Sequence, residues 1–180
     1  MLGLSQDRGQ LIDKLDEMYP VTGGTHMDIG LMWGLRMLSP RREWSGFFGQ
    51  DRPTDYDEAG VRKVLVLLTD GQNIPPSSIE GYYGCTEGDT RGQAGGCWQA
   101  PGVQNLTEDA LNGLTEDACD SLRNRYGVEI FTIAVDITDN DSIDVLADCA
   151  GVPERAFNIR ASEIDAVFES IAARELRLAQ

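Results

Sequence analysis

The stretch KVLVLLTDGQN, residues 63–73, constrains this chain more than any other. Residues 64–68 are apolar without alternation and stop at Thr69-Asp70-Gly71. A short β-rich run of this kind reads as a strand buried on both faces of a sheet. Gly71 permits a sharp exit. Asp70 then stands at the carboxyl end of a central strand, where open α/β sheets place their ligands. A turn-forming Asp-Gly after a core strand explains the same residues, so the rest of the chain has to decide.

The flanking segments alternate between helical and strand periodicity. Leu11, Ile12, Leu15 and Met18 fall at helical spacing within residues 8–18, and Tyr19-Pro20 ends that helix. Met27, Leu31, Leu35 and Leu38 form a second helical stripe that Pro40 terminates. Gly30 and Gly34 lie one turn apart on it, and each costs about 1 kcal/mol of helix propensity. Both are expected to have a packing reason, close approach to the sheet. Residues 41–62 read as a loop. So do residues 71–105, an unusual length inside a compact domain and often a functional one. Leu-Thr-Glu-Asp-Ala then occurs twice, eight residues apart, on a third helix. VEIFTIAVD (128–136) is a second strand, DSIDVLADCAG a helix and RAFNI a third strand. A closing helix follows, with Ser162 as N-cap, Asp165 in the capping-box position and Ile164, Val167, Phe168 and Ile171 on its buried face. This order predicts a single α/β domain with a Rossmann-like parallel sheet flanked by helices.

Composition removes several function classes. The chain has 180 residues and a net charge of −15, with 30 acids against 15 bases. Such a surface repels phosphate backbones, which argues against nucleic-acid binding. No apolar run is long enough to span a membrane, and MLGLSQDRGQ has neither the basic start nor the apolar core of a signal peptide. There is no G-x-G-x-x-G after a strand, no phosphate-binding G-x-x-x-x-G-K-[ST] and no G-x-S-x-G elbow. The cysteines are Cys85, Cys97, Cys119 and Cys149, with no C-x-x-C pair, and His26 is the only histidine, so a zinc site has little support. An even count fits either two disulfides in an oxidising compartment or four thiols. Cys85 and Cys97 bracket a Gly-rich polar loop where burial is hard to argue, which favours a bridge there.

What remains is Gly23-Gly24-Thr25 just before a helix and Thr69-Asp70-Gly71 after a strand. A hydroxyl and a carboxylate on adjacent sheet-top loops are hard oxygen ligands of the kind Mg²⁺ prefers.

GGTHMDIGLMWGLRMLSP, VRKVLVLLTDGQN, ACDSLRNRYGVEIFTIAVDI and LADCAG, in that order, resemble the von Willebrand factor A-type (vWA) domain. More narrowly they are similar to the TadG-like proteins of bacterial tight-adherence (Flp) pilus assembly. The resemblance covers nearly the whole chain. It implies that Thr25 and Asp70 are the second and third elements of a metal-ion-dependent adhesion site (MIDAS) holding Mg²⁺ or another divalent cation. The first element, Asp-x-Ser-x-Ser, appears nowhere in the 180 residues. LGLSQDR looks like the tail of the family's third strand, so the chain is expected to start inside the domain and to lack the first strands. One edge of the strand at 64–68 is then expected to lack a partner. The resemblance further implies a non-enzymatic adhesion or assembly module that binds an acidic group of a protein partner, such as a pilus or pilus-assembly component. It implies an extracytoplasmic home, with membrane attachment only through an N-terminal anchor outside this chain. In that setting Cys119 and Cys149, on helices flanking one strand, are expected to pair, with Cys85–Cys97 as the second bridge. Tyr82, Tyr83 and Trp98, in the loop that leaves Asp70, either contact the partner or pack inward. Two other readings stay open: a truncated remnant that binds no metal, and a Rossmann-like metal-dependent hydrolase using Asp70.

Overall fold

A computed structural model describes residues 5, 7–18, 25–40, 53–74 and 107–178. Tyr82, Tyr83, Trp98, Cys85 and Cys97 lie outside the described residues, as do Gly23, Gly24 and most of the segment 71–105. The elements are α1 (Arg8–Asp16), α2 (Met27–Leu38), β1 (Val64–Thr69), α3 (Glu108–Asp120), β2 (Glu129–Val135), α4 (Asn140–Ala150), β3 (Ala156–Ile159) and α5 (Ile164–Leu178). A π-helical turn, Ser121–Arg125, prolongs α3, and short 3₁₀ turns precede β3 and α5.

The strands form a parallel sheet in the order β1-β2-β3, with Val64 opposite Glu129 and Thr132 opposite Ala156. This is a mixed α/β architecture compatible with the Rossmann-like class. Strand alternation divides the core in two. Ile130 and Ala134 of β2 face one side, where they pack with Met27 and Leu31 of α2, Cys119 of α3 and Leu146 of α4. Phe131, Ile133 and Val135 face the other, against Val167 and Ile171 of α5. Helices therefore cover both faces.

Among the described residues the middle strand is β2, and β1 has a strand partner on one side only. Six of the seven residues of β2 are buried, whereas β1 is half-buried and Leu68 is 42% exposed. An unbroken apolar run fits a strand covered on both faces, but it does not say how many neighbours that strand has.

The helical stripe on α2 is as expected: Met27 and Leu31 are buried, and Leu35 and Leu38 pack against the core. Its glycines differ. A Cβ at Gly34 would collide with Leu65 Cδ1, while one at Gly30 would meet nothing within 4 Å. Only Gly34 marks close approach to the sheet. Helix α1 is present, capped by Asp7, but buries no residue, and Leu11, Ile12, Leu15 and Met18 are exposed.

At the closing helix the N-cap residue is Arg160, two residues before the expected Ser162, and a 3₁₀ turn precedes the α-helix. Arg160 caps the 3₁₀ turn Ala161–Glu163, and the Glu163 carboxylate accepts the Arg160 N–H at 2.9 Å. Glu163 therefore takes the role assigned to Asp165, and Ser162 lies inside the turn. Phe168 is 42% exposed, unlike Val167 and Ile171. Those two stand one turn apart on the line facing the sheet, and the next position after Val167 is rotated by about 100° away from that line.

Two features tie the helices to the sheet. Cys119 and Cys149 form a buried disulfide between α3 and α4, as expected. Just before β1 Lys63 is buried, and its Nζ donates to the carbonyls of Leu38 and Thr54 while lying 4.3 Å from the centre of the Tyr56 ring. It thereby satisfies a carbonyl at the C-terminal end of α2. Burial pushes its pKa below the usual lysine value, partly offset by Asp55. Among the described residues no helix is long and apolar enough to cross a membrane.

Candidate functional site

The carboxyl end of β1 closes with a local hydroxyl turn. Thr69 Oγ1 accepts the Gly71 N–H at 3.2 Å and donates to the Gly71 carbonyl at 2.8 Å. That turn folds the chain back at once, so Asp70 is exposed at the strand end while Thr69 stays buried.

The loop returns to the start of α2. Ile74 N–H donates to the Thr25 carbonyl at 3.1 Å. A Cβ on residue 71 would sit 3.3 Å from Thr25 Oγ1, so the missing side chain of Gly71 lets the Thr25 hydroxyl come close to the Thr69-Asp70-Gly71 turn. Thr25 and Asp70 are far apart in sequence, yet they stand on neighbouring loops at the carboxyl end of the sheet. Those loops are joined by the Ile74–Thr25 backbone bond and the close approach of Gly71 to Thr25.

The first turn of α2 follows Thr25 directly. His26 is its N-cap residue but makes no side-chain capping bond. The Met27 N–H is instead capped from outside, by Asn73 Oδ1 at 3.0 Å. Asp28 is fully buried, and His26 Nδ1 lies 3.6 Å from its Oδ1. Neither carboxylate oxygen of Asp28 and neither ring nitrogen of His26 makes a well-formed hydrogen bond. Burial raises the pKa of Asp28; His26 opposes that shift, with a smaller contribution from the nearby amides of Ile29 and Asp28 itself.

Asn73 also reaches the third helix. Its Nδ2 donates to Asn112 Oδ1 at 2.9 Å and to Thr115 Oγ1 at 3.0 Å. Beside it, Gln72 Nε2 donates to the Glu108 carboxylate in the first turn of α3. The loop after β1 is thus held on both sides, by α2 and by α3.

Thr25 and Asp70 fit a hard divalent cation in kind, since both offer oxygen. They do not complete a protein ligand set: among the described residues no group of three His, Cys, Asp or Glu side chains is placed to hold a metal ion. A separate groove of about 740 Å³ runs between α3, α4 and β3, and neither Thr25 nor Asp70 lines it. Its arginine, Arg123, is already engaged with Asp120 and the Asp148 carbonyl.

No local pattern in the sequence marks Asn73, Asp28 or His26 as a site residue. Asn73 ends the quoted TDGQN stretch, but its partners are 39 to 46 residues away, and no local pattern reveals them. Asp28 looks like an ordinary first-turn acid, favourable at a helix N-terminus whether exposed or not. No family model, curated protein or solved structure matches the chain.

Proposed function

We propose that this chain is a non-enzymatic vWA-type binding module of the TadG-like kind, which holds an acidic group of a protein partner through a divalent cation such as Mg²⁺. The observation that carries the reading is the approach of Thr25 to the Thr69-Asp70-Gly71 turn at the carboxyl end of a parallel sheet. Asp70 supplies a charged oxygen and Thr25 a neutral one. A cation held there keeps open positions, and a partner carboxylate can displace water from one of them. The acidic surface of the chain attracts the cation and disfavours an acidic partner without it. The buried Cys119–Cys149 disulfide supports an extracytoplasmic setting.

A second reading, a fold that binds no metal, is favoured by the lack of a third acidic ligand beside Thr25 and Asp70 among the described residues. Magnesium and manganese calorimetry separates the two. The first reading expects saturable binding that Thr25→Ala weakens and Asp70→Asn abolishes, with both variants folded. Heat of dilution alone, in a chain that is cooperatively folded, overturns it and leaves the second.

A further inference from the structure

We infer that Asn73 is the positioning residue of the junction between the loop after β1 and the start of α2, setting Thr25 against the Thr69-Asp70-Gly71 turn by clasping α2 and α3 with a single carboxamide. The inference takes its meaning for ligand binding from the proposed function, but the clasp itself is a property of the fold.

Asn73 is fully buried, and the bonds of its side chain cross between elements. The bonding pattern permits only one orientation of the amide. Met27 N–H is a donor and needs the carbonyl oxygen of Asn73. Thr115 spends its hydroxyl proton on the Leu111 carbonyl at 2.8 Å, so its oxygen can only accept, and it takes a proton from Nδ2. The second Nδ2 proton goes to Asn112. Both donors and the acceptor are therefore used within a buried site. A buried network satisfied in this way specifies one arrangement, because any slip strands a polar group.

The geometry makes Asn73 a local rather than a general device. It lies three residues after Asp70 and caps the helix that begins two residues after Thr25. The adjoining backbone bond, Ile74 N–H to the Thr25 carbonyl, belongs to the same junction. An aspartate at position 73 could still accept from Met27 N–H but could not donate to Asn112 or Thr115. An alanine loses both arms.

Native-state hydrogen exchange on Asn73→Ala, Asn73→Asp and Thr115→Val, with the amides of β2 as internal reference, tests this. In Asn73→Ala, exchange at Met27 and Ile74 should rise roughly tenfold more than at Ile130 and Ile133, as loss of a buried hydrogen bond near a loop predicts. Asn73→Asp should restore protection at Met27, and Thr115→Val should leave Met27 protected. Manganese titration of the same variants should show weaker binding in Asn73→Ala although Thr25 and Asp70 are intact. An equal rise at all amides, or protection at Met27 unchanged in Asn73→Ala, overturns the inference. Should Asn73→Ala not fold, Asn73→Asp carries the test, and loss of protection at Met27 in that variant overturns it. If the unaltered chain binds no manganese while the exchange pattern is as expected, the clasp stands and the proposed function fails.

Discussion

The Asp28 carboxylate lies 3.6 Å from His26 Nδ1 and is wholly buried, with no well-formed hydrogen bond to either oxygen. Burial raises its pKa above the ordinary aspartate value of 3.8, against the opposing effect of His26. The folded chain therefore holds this proton more tightly than the unfolded chain does. Its contribution to stability is fully present below pH 3.8 and is lost as pH rises through the raised folded value. Asp28→Asn should be more stable than the unaltered chain at pH 7, with a difference that grows by at most about 1.4 kcal/mol per pH unit across that window and vanishes below it. Urea denaturation at a series of pH values measures this. A variant less stable at pH 7 would show that the ionised pair with His26 is favourable.

The Cys119–Cys149 bridge closes a separation of 30 residues. In the chain-entropy model such a loop contributes roughly 3 to 4 kcal/mol. The double variant Cys119→Ala, Cys149→Ala should lose about that much, plus a smaller packing loss, in denaturant titrations. Because both sulfurs are buried, reduction should be slow until the chain opens. Rapid reaction of Cys119 or Cys149 with a thiol reagent in native, unreduced protein would contradict the pairing.

The glycines of α2 give a paired test. Gly30→Ala meets open space and gains helix propensity, so it should stabilise by about 0.5 to 1 kcal/mol. Gly34→Ala gains the same propensity but forces Leu65 aside. Overpacking typically costs ~1 to 3 kcal/mol, so this variant should be neutral or destabilised. Thermal unfolding of the two variants side by side decides it, and equal shifts in the same direction would contradict the packing difference.

The repeated Leu-Thr-Glu-Asp-Ala places its two threonines in different roles. Thr107 is the N-cap of α3 and accepts the Ala110 N–H at 3.1 Å, while Thr115 is buried inside the helix and bonds Leu111 and Asn73. Thr107→Ala should cost about 1 kcal/mol, and Thr107→Ser should restore most of it. At position 115 serine should not be neutral, since it leaves a methyl-sized void in the core. Denaturant midpoints of the single variants, alanine and serine at each site, check the contrast.

Periodicity made the elements legible. The apolar stripe of α2, the β-branched run of β2 and the abrupt stop at Thr69-Asp70-Gly71 are local patterns, and local patterns follow from backbone geometry alone. The parallel α/β class followed from their order. So did the placing of Asp70 at a strand's carboxyl end. What the sequence by itself could not determine is which partner each element meets. Residues 64–68 are as apolar as those of β2, yet β2 has a strand on each side and β1, among the described residues, has one. Gly30 and Gly34 look alike one turn apart, but only the second faces Leu65. Asn73 and Asp28 read as polar loop and helix-start residues, and both are fully buried. Their burial arises from contacts across the fold, between α2, the loop after β1 and α3. Such contacts depend on how the elements pack, a matter that no stretch of sequence encodes alone, and so the tertiary structure decided them.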